Sequence, residues 1–106
     1  MSGHTIKVTG DNINQMKQGC AVIDFTAAHC GPCRLQAPIV DKLAAEFAGR
    51  VKVGECDGDE QVQIAIDHGV TGFPTLIFFR NGEMVDKHMG LLREDALRER
   101  IAALGC

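Results

Sequence analysis

Residues 20–36 read CAVIDFTAAHCGPCRLQ, and this stretch decides the fold. Its first six residues form an apolar run rich in β-branched side chains, with one acidic residue, Asp24. Such a run predicts a strand that is buried on both faces. A short turn follows, and Pro32 suits the first turn of a helix, where no intrahelical donor is lost. Cys30 and Cys33 therefore lie where a buried strand turns into a helix.

The helix that follows is predicted from a repeating apolar pattern. Leu35, Ile39, Leu43 and Phe47 recur every four residues, so we expect them to form one stripe that faces the core. Pro38 lies inside this pattern and predicts a kink, because it removes an intrahelical hydrogen bond.

The rest of the chain alternates between predicted strands and helices. A strand–helix–strand order requires a crossover, so strands over residues 20–25 and 51–56 are predicted to be parallel. Asn81-Gly82 is a strong hairpin pattern that returns the chain as an antiparallel strand. The other predicted elements are a strand over 5–8, a short helix ending at Gln18, a helix over 61–68, a strand over 75–79 and a helix over 94–104. We expect one α/β domain over residues 1–106, with a central mixed sheet and helices on both faces.

Composition excludes several classes of protein. The 106 residues are 45% apolar and 24% charged, which suits one globular domain with its own core. Eleven Lys and Arg face 14 Asp and Glu, a net charge of −3, so the basic surface of a nucleic-acid binder is absent. No apolar run approaches the roughly 18 residues of a membrane span, and the first four residues lack signal-peptide features. We expect a cytoplasmic protein that binds neither nucleic acid nor membranes.

The chain has five cysteines, an odd number with uneven spacing. A secreted disulfide scaffold would have an even and denser set, so we expect reduced thiols, with Cys30 and Cys33 as the reactive pair. Cys20 and Cys56, at strand ends, are expected to be small buried apolar residues. Cys106 is expected to be an exposed thiol.

The Cys30–Cys33 pair favours redox chemistry over metal binding. The thiolate is the attacking species in disulfide exchange, and the free N–H groups and dipole of a helix N-terminus favour it by about 0.3–1 kcal/mol. The two residues between the cysteines, Gly31 and Pro32, keep the turn narrow enough for both sulfurs to meet.

The alternative is half of a zinc site. A structural zinc site needs a second cysteine pair or a paired histidine motif, and Cys56 and the four histidines are scattered without that spacing. The sequence therefore predicts a redox-active pair and no metal.

These residues, with others downstream, resemble the thioredoxin family. The resemblance covers essentially the whole chain in order, and it is carried by residues 22–25, 30–34, Pro38, 73–75, 81–83 and Gly90. It implies a thioredoxin-like fold and a protein-disulfide oxidoreductase that carries electrons to disulfide-containing proteins in cell redox homeostasis. It also implies a monomer with no cofactor beyond its own disulfide, regenerated by a flavin- and NADPH-dependent thioredoxin reductase.

The resemblance also assigns roles to individual residues. Cys30 would be the nucleophile that forms a mixed disulfide with the target, and Cys33 would be the thiol that resolves it. Pro74 matches the family's cis-proline beside the two cysteines. The residues expected to line the substrate groove are Gly31, Pro32, Phe73, Pro74, Gly90 and Leu91.

Asp24 is an acid in a strand with no solvent-facing side. Burial disfavours a carboxylate and should raise its pKa, so Asp24 could accept the proton of Cys33 as that thiol attacks. The resemblance implies the same role. The alternative is a structural acid that takes no part in the kinetics.

Several residues depart from the family pattern. His29 and Thr26 stand where the family usually has tryptophan, and a charged His29 beside the thiolate would make the disulfide more oxidising as the pH falls. The alternative is an exposed polar residue with little effect.

Phe73 is bulkier than the family's usual β-branched residue and is expected to narrow the range of substrates. Glu55 stands where the family commonly has a lysine. If its side chain points inward, Glu55 and Asp24 would raise each other's pKa. If it points outward, which is the orientation we favour, Glu55 is a surface residue at the end of a strand.

These departures leave two further functions open. One is a more oxidising carrier or isomerase with narrower specificity, indicated by His29, Thr26 and Phe73. The other is a non-catalytic interaction module, against which the presence of both Cys30 and Cys33 argues. The residues expected to tune the thiol pKa and the redox potential of the site are His29, Gly31 and Pro32.

Overall fold

The computed structural model describes residues 3–106, which form five strands and four helices. No helix in this range is both long and apolar enough to cross a membrane. In chain order the elements are β1 (Ile6–Lys7), α1 (Ile13–Met16), β2 (Cys20–Thr26), α2 (Gly31–Glu46), β3 (Lys52–Asp57), α3 (Val62–Asp67), β4 (Thr75–Arg80), β5 (Glu83–Met89) and α4 (Glu94–Ala102).

The strands form one mixed sheet in the order β1-β3-β2-β4-β5. β2 lies at the centre, parallel to β3 and antiparallel to β4, and β5 pairs antiparallel with β4. The predicted mixed sheet and hairpin are confirmed. Asn81 and Gly82 have φ values of 52° and 90°, the left-handed conformation that a tight hairpin turn requires.

Alternate residues of β2 face two separate apolar layers. Val22 packs in the layer covered by α2 and α4, whereas Ile23 and Phe25 pack on the opposite face, with α1 and α3. By this alternation the side chain of Asp24 lies on the face that α2 covers. The central strand thus carries a carboxyl group beneath the helix that begins with the two cysteines.

The stripe predicted for α2 is wrong at its first position. Leu35 is 62% exposed, Ile39 is partly buried, and Gln36 is fully buried in the place expected for Leu35. A helix turns about 100° per residue, so positions four apart rotate by about 40° each time. Counted back from the buried Phe47, the four-residue repeat has therefore rotated out of the core by the time it reaches Leu35.

Gly54 in β3 lies where the sheet leaves no room for a side chain. A Cβ there would lie 2.6 Å from Val8 Cγ2 and 2.8 Å from Met16 Cε. We expect Gly54→Ala to lower the free energy of unfolding by about 1–3 kcal/mol through overpacking. Gly10→Ala is the matched control, because nothing lies within 4 Å of its Cβ. Equal denaturation midpoints for the two variants would contradict this packing.

Candidate active site

Cys30 is the N-cap residue of α2. Its backbone is extended, and its Sγ accepts a hydrogen bond from the backbone N–H of Cys33 at 3.2 Å. The first N–H groups of a helix have no partner inside the helix, so the sulfur occupies the position where a capping side chain normally lies. Gly31 and Pro32 form the exposed first turn between the two cysteines.

Cys30 and Cys33 form a disulfide with their Cα atoms 5.3 Å apart. The two sulfurs differ in accessibility: Cys30 is half-buried, whereas Cys33 is only 4% exposed. A large partner therefore reaches Cys30 first, and Cys33 lies behind it.

The loop before β4 packs beside this pair. The Phe73–Pro74 peptide bond is cis, and the Phe73 carbonyl oxygen lies 3.7 Å from Cys30 Sγ. The backbone N–H of Gly90 donates to the Pro74 carbonyl at 2.8 Å. The structure thus places Cys30, Phe73, Pro74 and Gly90 next to one another. Leu91 follows Gly90 and is half-buried.

Asp24 is buried on the α2 side of the sheet, with 1% of its surface exposed. Neither of its carboxyl oxygens has a hydrogen-bond partner among residues 3–106. Burial, followed by the charge of Glu55, raises the pKa of Asp24 from 3.8 to about 7. The rise expected from the sequence is confirmed, and the carboxyl group changes its protonation state near neutral pH.

Glu55 lies beside Asp24 in the sheet. The two residues pair in register between β2 and β3, and paired residues of neighbouring strands point to the same face. Glu55 is half-buried, and the Thr5 hydroxyl donates to its Oε1 at 2.6 Å. The outward orientation favoured from the sequence is therefore wrong: Glu55 shares the face of Asp24, and its charge raises the pKa of Asp24.

Gln36 is a residue of this region that the sequence analysis missed. Its Nε2 donates to the Leu92 carbonyl at 3.0 Å, and its Oε1 accepts from the Leu92 N–H at 2.7 Å. This pair of bonds ties the segment after Gly90 to α2. One sequence pattern could have revealed Gln36: it is a polar residue three positions after Cys33, on the inner side of an amphipathic helix.

His29 precedes Cys30 in the left-handed region, with φ 55°, and its side chain is exposed. The loop before it is fixed by a hydrogen bond from the Ala28 N–H to Asp59 Oδ2 at 2.8 Å. In residues 3–106, no group of three or more His, Cys, Asp or Glu side chains could hold a metal ion.

Gly58 packs beneath the ring of Phe73. A Cβ on Gly58 would lie 2.4 Å from Phe73 Cε1 and Cζ, and the Gly58 N–H donates to the Thr26 carbonyl at 2.7 Å. The phenyl ring therefore uses the space that the glycine leaves.

We expect Gly58→Ala to displace the Phe73 ring and, with it, the carbonyl beside Cys30. The KM for a protein disulfide substrate should rise, and stability should fall by about 1–3 kcal/mol. Adding Phe73→Val should restore most of both losses, because the shorter side chain leaves room for the methyl group. A double-mutant cycle measures this coupling, and additive effects would show that the two residues act independently.

The expected reduced state of Cys20 and Cys106 is wrong. The structure joins them in a disulfide, with their Cα atoms 6.5 Å apart. The segment after α4 returns to the start of β2, which the separation of 86 residues in the sequence does not reveal. Cys56 is buried as expected and unpaired, and its pKa is raised to about 11, mainly by burial and secondarily by Asp57.

Comparison with known proteins places this site in a family. The thioredoxin family model matches residues 5–103. A thioredoxin of Staphylococcus aureus is 37% identical over 95 residues, which cover 89% of this chain and 91% of the relative. The chloroplastic M-type thioredoxin of Pisum sativum is 41% identical over 80 residues, which cover 76% of this chain and 46% of that longer protein.

A solved structure shows the same similarity in three dimensions. A thioredoxin of Malassezia sympodialis superposes with a TM-score of 0.86 at 32% sequence identity, covering 100% of this chain and 96% of that one. The family match runs through every element that positions Cys30, Cys33 and Pro74. The chain therefore belongs to the thioredoxin family, whose members are protein-disulfide oxidoreductases.

Proposed function

We propose that the protein is a general disulfide reductase in which Cys30 is the nucleophile and Cys33 the resolving thiol. The observation that carries this assignment is the difference in burial between two cysteines on one helical turn. The half-buried Cys30 caps α2 with its sulfur, and Cys33 is almost fully buried behind it.

The reaction proceeds in two exchanges. The Cys30 thiolate attacks one sulfur of a target disulfide, the target S–S bond breaks, and the other target sulfur leaves as a thiolate. Cys33 then attacks Cys30 Sγ, and the second target sulfur leaves. The target gains two electrons, and the chain is left with the Cys30–Cys33 disulfide.

Asp24 serves the second exchange in this proposal. Cys33 must lose its proton to attack, and Asp24 lies on the face of the sheet beneath α2 with a pKa of about 7. A carboxyl group that is partly ionised at neutral pH can accept that proton, directly or through water. The competing assignment is a structural acid, and kinetics of the Asp24→Asn variant separate the two.

The substrate lies along the surface around Cys30 in this proposal. An extended segment of the target would pack against a groove in which the cis Pro74 peptide and Gly90 are joined by a backbone hydrogen bond. The proposed lining residues are Gly31, Pro32, Phe73, Pro74, Gly90 and Leu91.

Membership of the thioredoxin family supports a proposal for the partners, and the proposed location rests on the sequence alone. We propose a cytoplasmic monomer with one domain over residues 1–106, which acts on disulfide-containing proteins and is recycled by a flavin- and NADPH-dependent thioredoxin reductase. The chemistry uses only the cysteine pair and needs no bound cofactor.

The test of this function is reduction of insulin disulfides, combined with the redox potential and turnover by a thioredoxin reductase. We expect fast reduction of the Cys30–Cys33 disulfide by the reductase and catalysis of insulin reduction with dithiothreitol. The proposal would be contradicted if thioredoxin reductase does not reduce the protein and the protein does not accelerate insulin reduction.

A second candidate function, an oxidising carrier or isomerase, is favoured by the position of His29 next to Cys30. A positive charge on His29 would stabilise the thiolate and raise the potential as the pH falls. We expect the potentials of the protein and of His29→Trp to diverge on the order of 30 mV between about pH 8 and 5.5, which corresponds to ~1.4 kcal/mol. His29→Gln, which is polar but uncharged, should follow the tryptophan variant. Parallel potential curves for all three proteins would reject the second function.

A further inference from the structure

The second disulfide, Cys20–Cys106, lies at the opposite end of the central strand from the active site. Cys20 is the first residue of β2, and the loop after the last residue of β2 leads to Cys30. Six steps along a strand span about 20 Å. The two cysteine pairs therefore react separately within one molecule.

Contacts other than the disulfide hold Cys106 near Cys20. The residue two before Cys106, Leu104, is buried in the α2–α4 layer, and Arg80 Nη1 donates to its carbonyl oxygen at 2.8 Å. Cys20 Sγ lies 3.8 Å from the same oxygen. The Cα separation of 6.5 Å is within the range of about 4.4–6.8 Å that a disulfide spans. Bond formation between the two thiols is thus an intramolecular step with a high effective concentration.

Cys20 and Cys106 differ in solvent exposure, as the two active-site cysteines do. Cys106 is exposed, whereas Cys20 is 4% exposed, the same as Cys33. Exchange with a small thiol or disulfide depends on access to the attacked sulfur, so Cys106 is the point of entry. Cys56 has neither an accessible sulfur nor a nearby partner cysteine.

The surroundings of Cys20 favour an anionic reagent. Cys20 lines an open cavity of about 380 Å³ whose other lining residues include Arg50 and Lys52. Both cationic side chains line the cavity on the Cys20 side of the pair, where the Lys52 ammonium also donates to the Gln15 carbonyl at 2.7 Å. Their positive charge attracts negatively charged small molecules. Glutathione disulfide, which is anionic at neutral pH, is therefore a suitable probe.

We propose that Cys20 and Cys106 form a second, reversible dithiol–disulfide couple that exchanges with anionic low-molecular-weight disulfides. The Cys106 thiolate attacks one sulfur of the small disulfide, whose other half leaves as a thiolate. Cys20 then attacks Cys106 Sγ and expels the second half, so the small disulfide gains two electrons and Cys20–Cys106 is oxidised. A dithiol attacks Cys106 Sγ, which expels the Cys20 thiolate, and then closes to its own disulfide and releases Cys106 as a thiolate, so both cysteines return to thiols. Oxidation fixes the segment after α4 to the start of β2.

The experiment uses the full chain with Cys30→Ser and Cys33→Ser, so that only Cys20, Cys56 and Cys106 remain. The protein is reduced with dithiothreitol, incubated with glutathione disulfide, quenched with N-ethylmaleimide in denaturant and mapped by mass spectrometry. We expect the labelled cysteines to fall from three to one, Cys56, with a linked Cys20–Cys106 peptide. Dithiothreitol should restore all three. Because the active-site cysteines are absent, this result is independent of the proposed reductase function.

Two variants in the same background separate the steps. Cys20→Ser should stop at a stable glutathione adduct on Cys106, and Cys106→Ser should give no adduct on Cys20. In the otherwise unaltered protein, Cys106→Ser should leave insulin reduction unchanged. A persistent glutathione adduct on Cys106 while Cys20 is present, or labelling of both cysteines after incubation, would overturn the proposal.

Discussion

Cys30→Ser should reduce insulin disulfides no faster than dithiothreitol alone, whereas Cys33→Ser should accumulate a mixed disulfide with its target. A serine hydroxyl is not ionised at neutral pH and cannot start the exchange, so the first variant loses the whole reaction. In the second variant Cys30 still caps α2 and remains accessible, but no thiol displaces the bound target. Non-reducing gels and peptide mapping measure the adduct.

The matched control for these variants is Cys56→Ser. Cys56 is a buried thiol with a pKa raised to about 11, so its loss should leave the rate of insulin reduction unchanged. An adduct on Cys56 instead of Cys30 in the Cys33→Ser variant, or an adduct on Cys33 in the Cys30→Ser variant, would contradict the assigned roles.

Asp24→Asn should remove a large pH dependence of stability. The folded protein keeps a proton on Asp24 up to a pKa of about 7, whereas the unfolded chain loses it near pH 4. The unfolded state therefore binds fewer protons between these values, and stability falls as the pH rises through this window, by on the order of 4 kcal/mol. Asparagine cannot ionise, so the variant should lose this decline and be the more stable protein above pH 7.

Denaturant unfolding of both proteins between about pH 4 and 9 measures this difference. Glu55→Gln is the matched control: it removes the nearby charge that helps to raise the pKa of Asp24, so the decline should end at a lower pH. Parallel stability curves for the protein and Asp24→Asn would show that the carboxyl does not titrate as described.

The same variant tests the kinetic role of Asp24. If Asp24 accepts the proton of Cys33, Asp24→Asn should slow the second exchange and accumulate mixed disulfide, while the first exchange keeps its rate. Rapid-quench measurement of the adduct separates the two steps. Unchanged resolution would leave Asp24 as a buried structural acid.

Local patterns predicted most of the fold. Residues close together in the sequence determine the apolar run of β2, the hairpin at Asn81-Gly82 and the order of strands and helices. The mixed sheet could therefore be predicted from them. The Cys30–Cys33 pair and the burial of Asp24 could be predicted for the same reason, because each depends only on the residues of one secondary-structure element.

Features that depend on distant parts of the chain were missed. Gln36 contacts a segment 56 residues away, and the Cys20–Cys106 disulfide spans 86 residues. The glycine beneath Phe73 belongs to another loop, and its role depends on a ring contact that no spacing encodes. Leu35 was misplaced because a four-residue repeat drifts around a helix.

The central claim is that Cys30, not Cys33, is the sulfur that reacts with a partner. Its most direct test is alkylation of the fully reduced protein with a limiting amount of iodoacetamide at neutral pH, followed by peptide mapping. The burial of the two residues predicts that Cys30 is modified before Cys33, which stays largely unmodified. Equal modification of the two cysteines, or faster modification of Cys33, would contradict it.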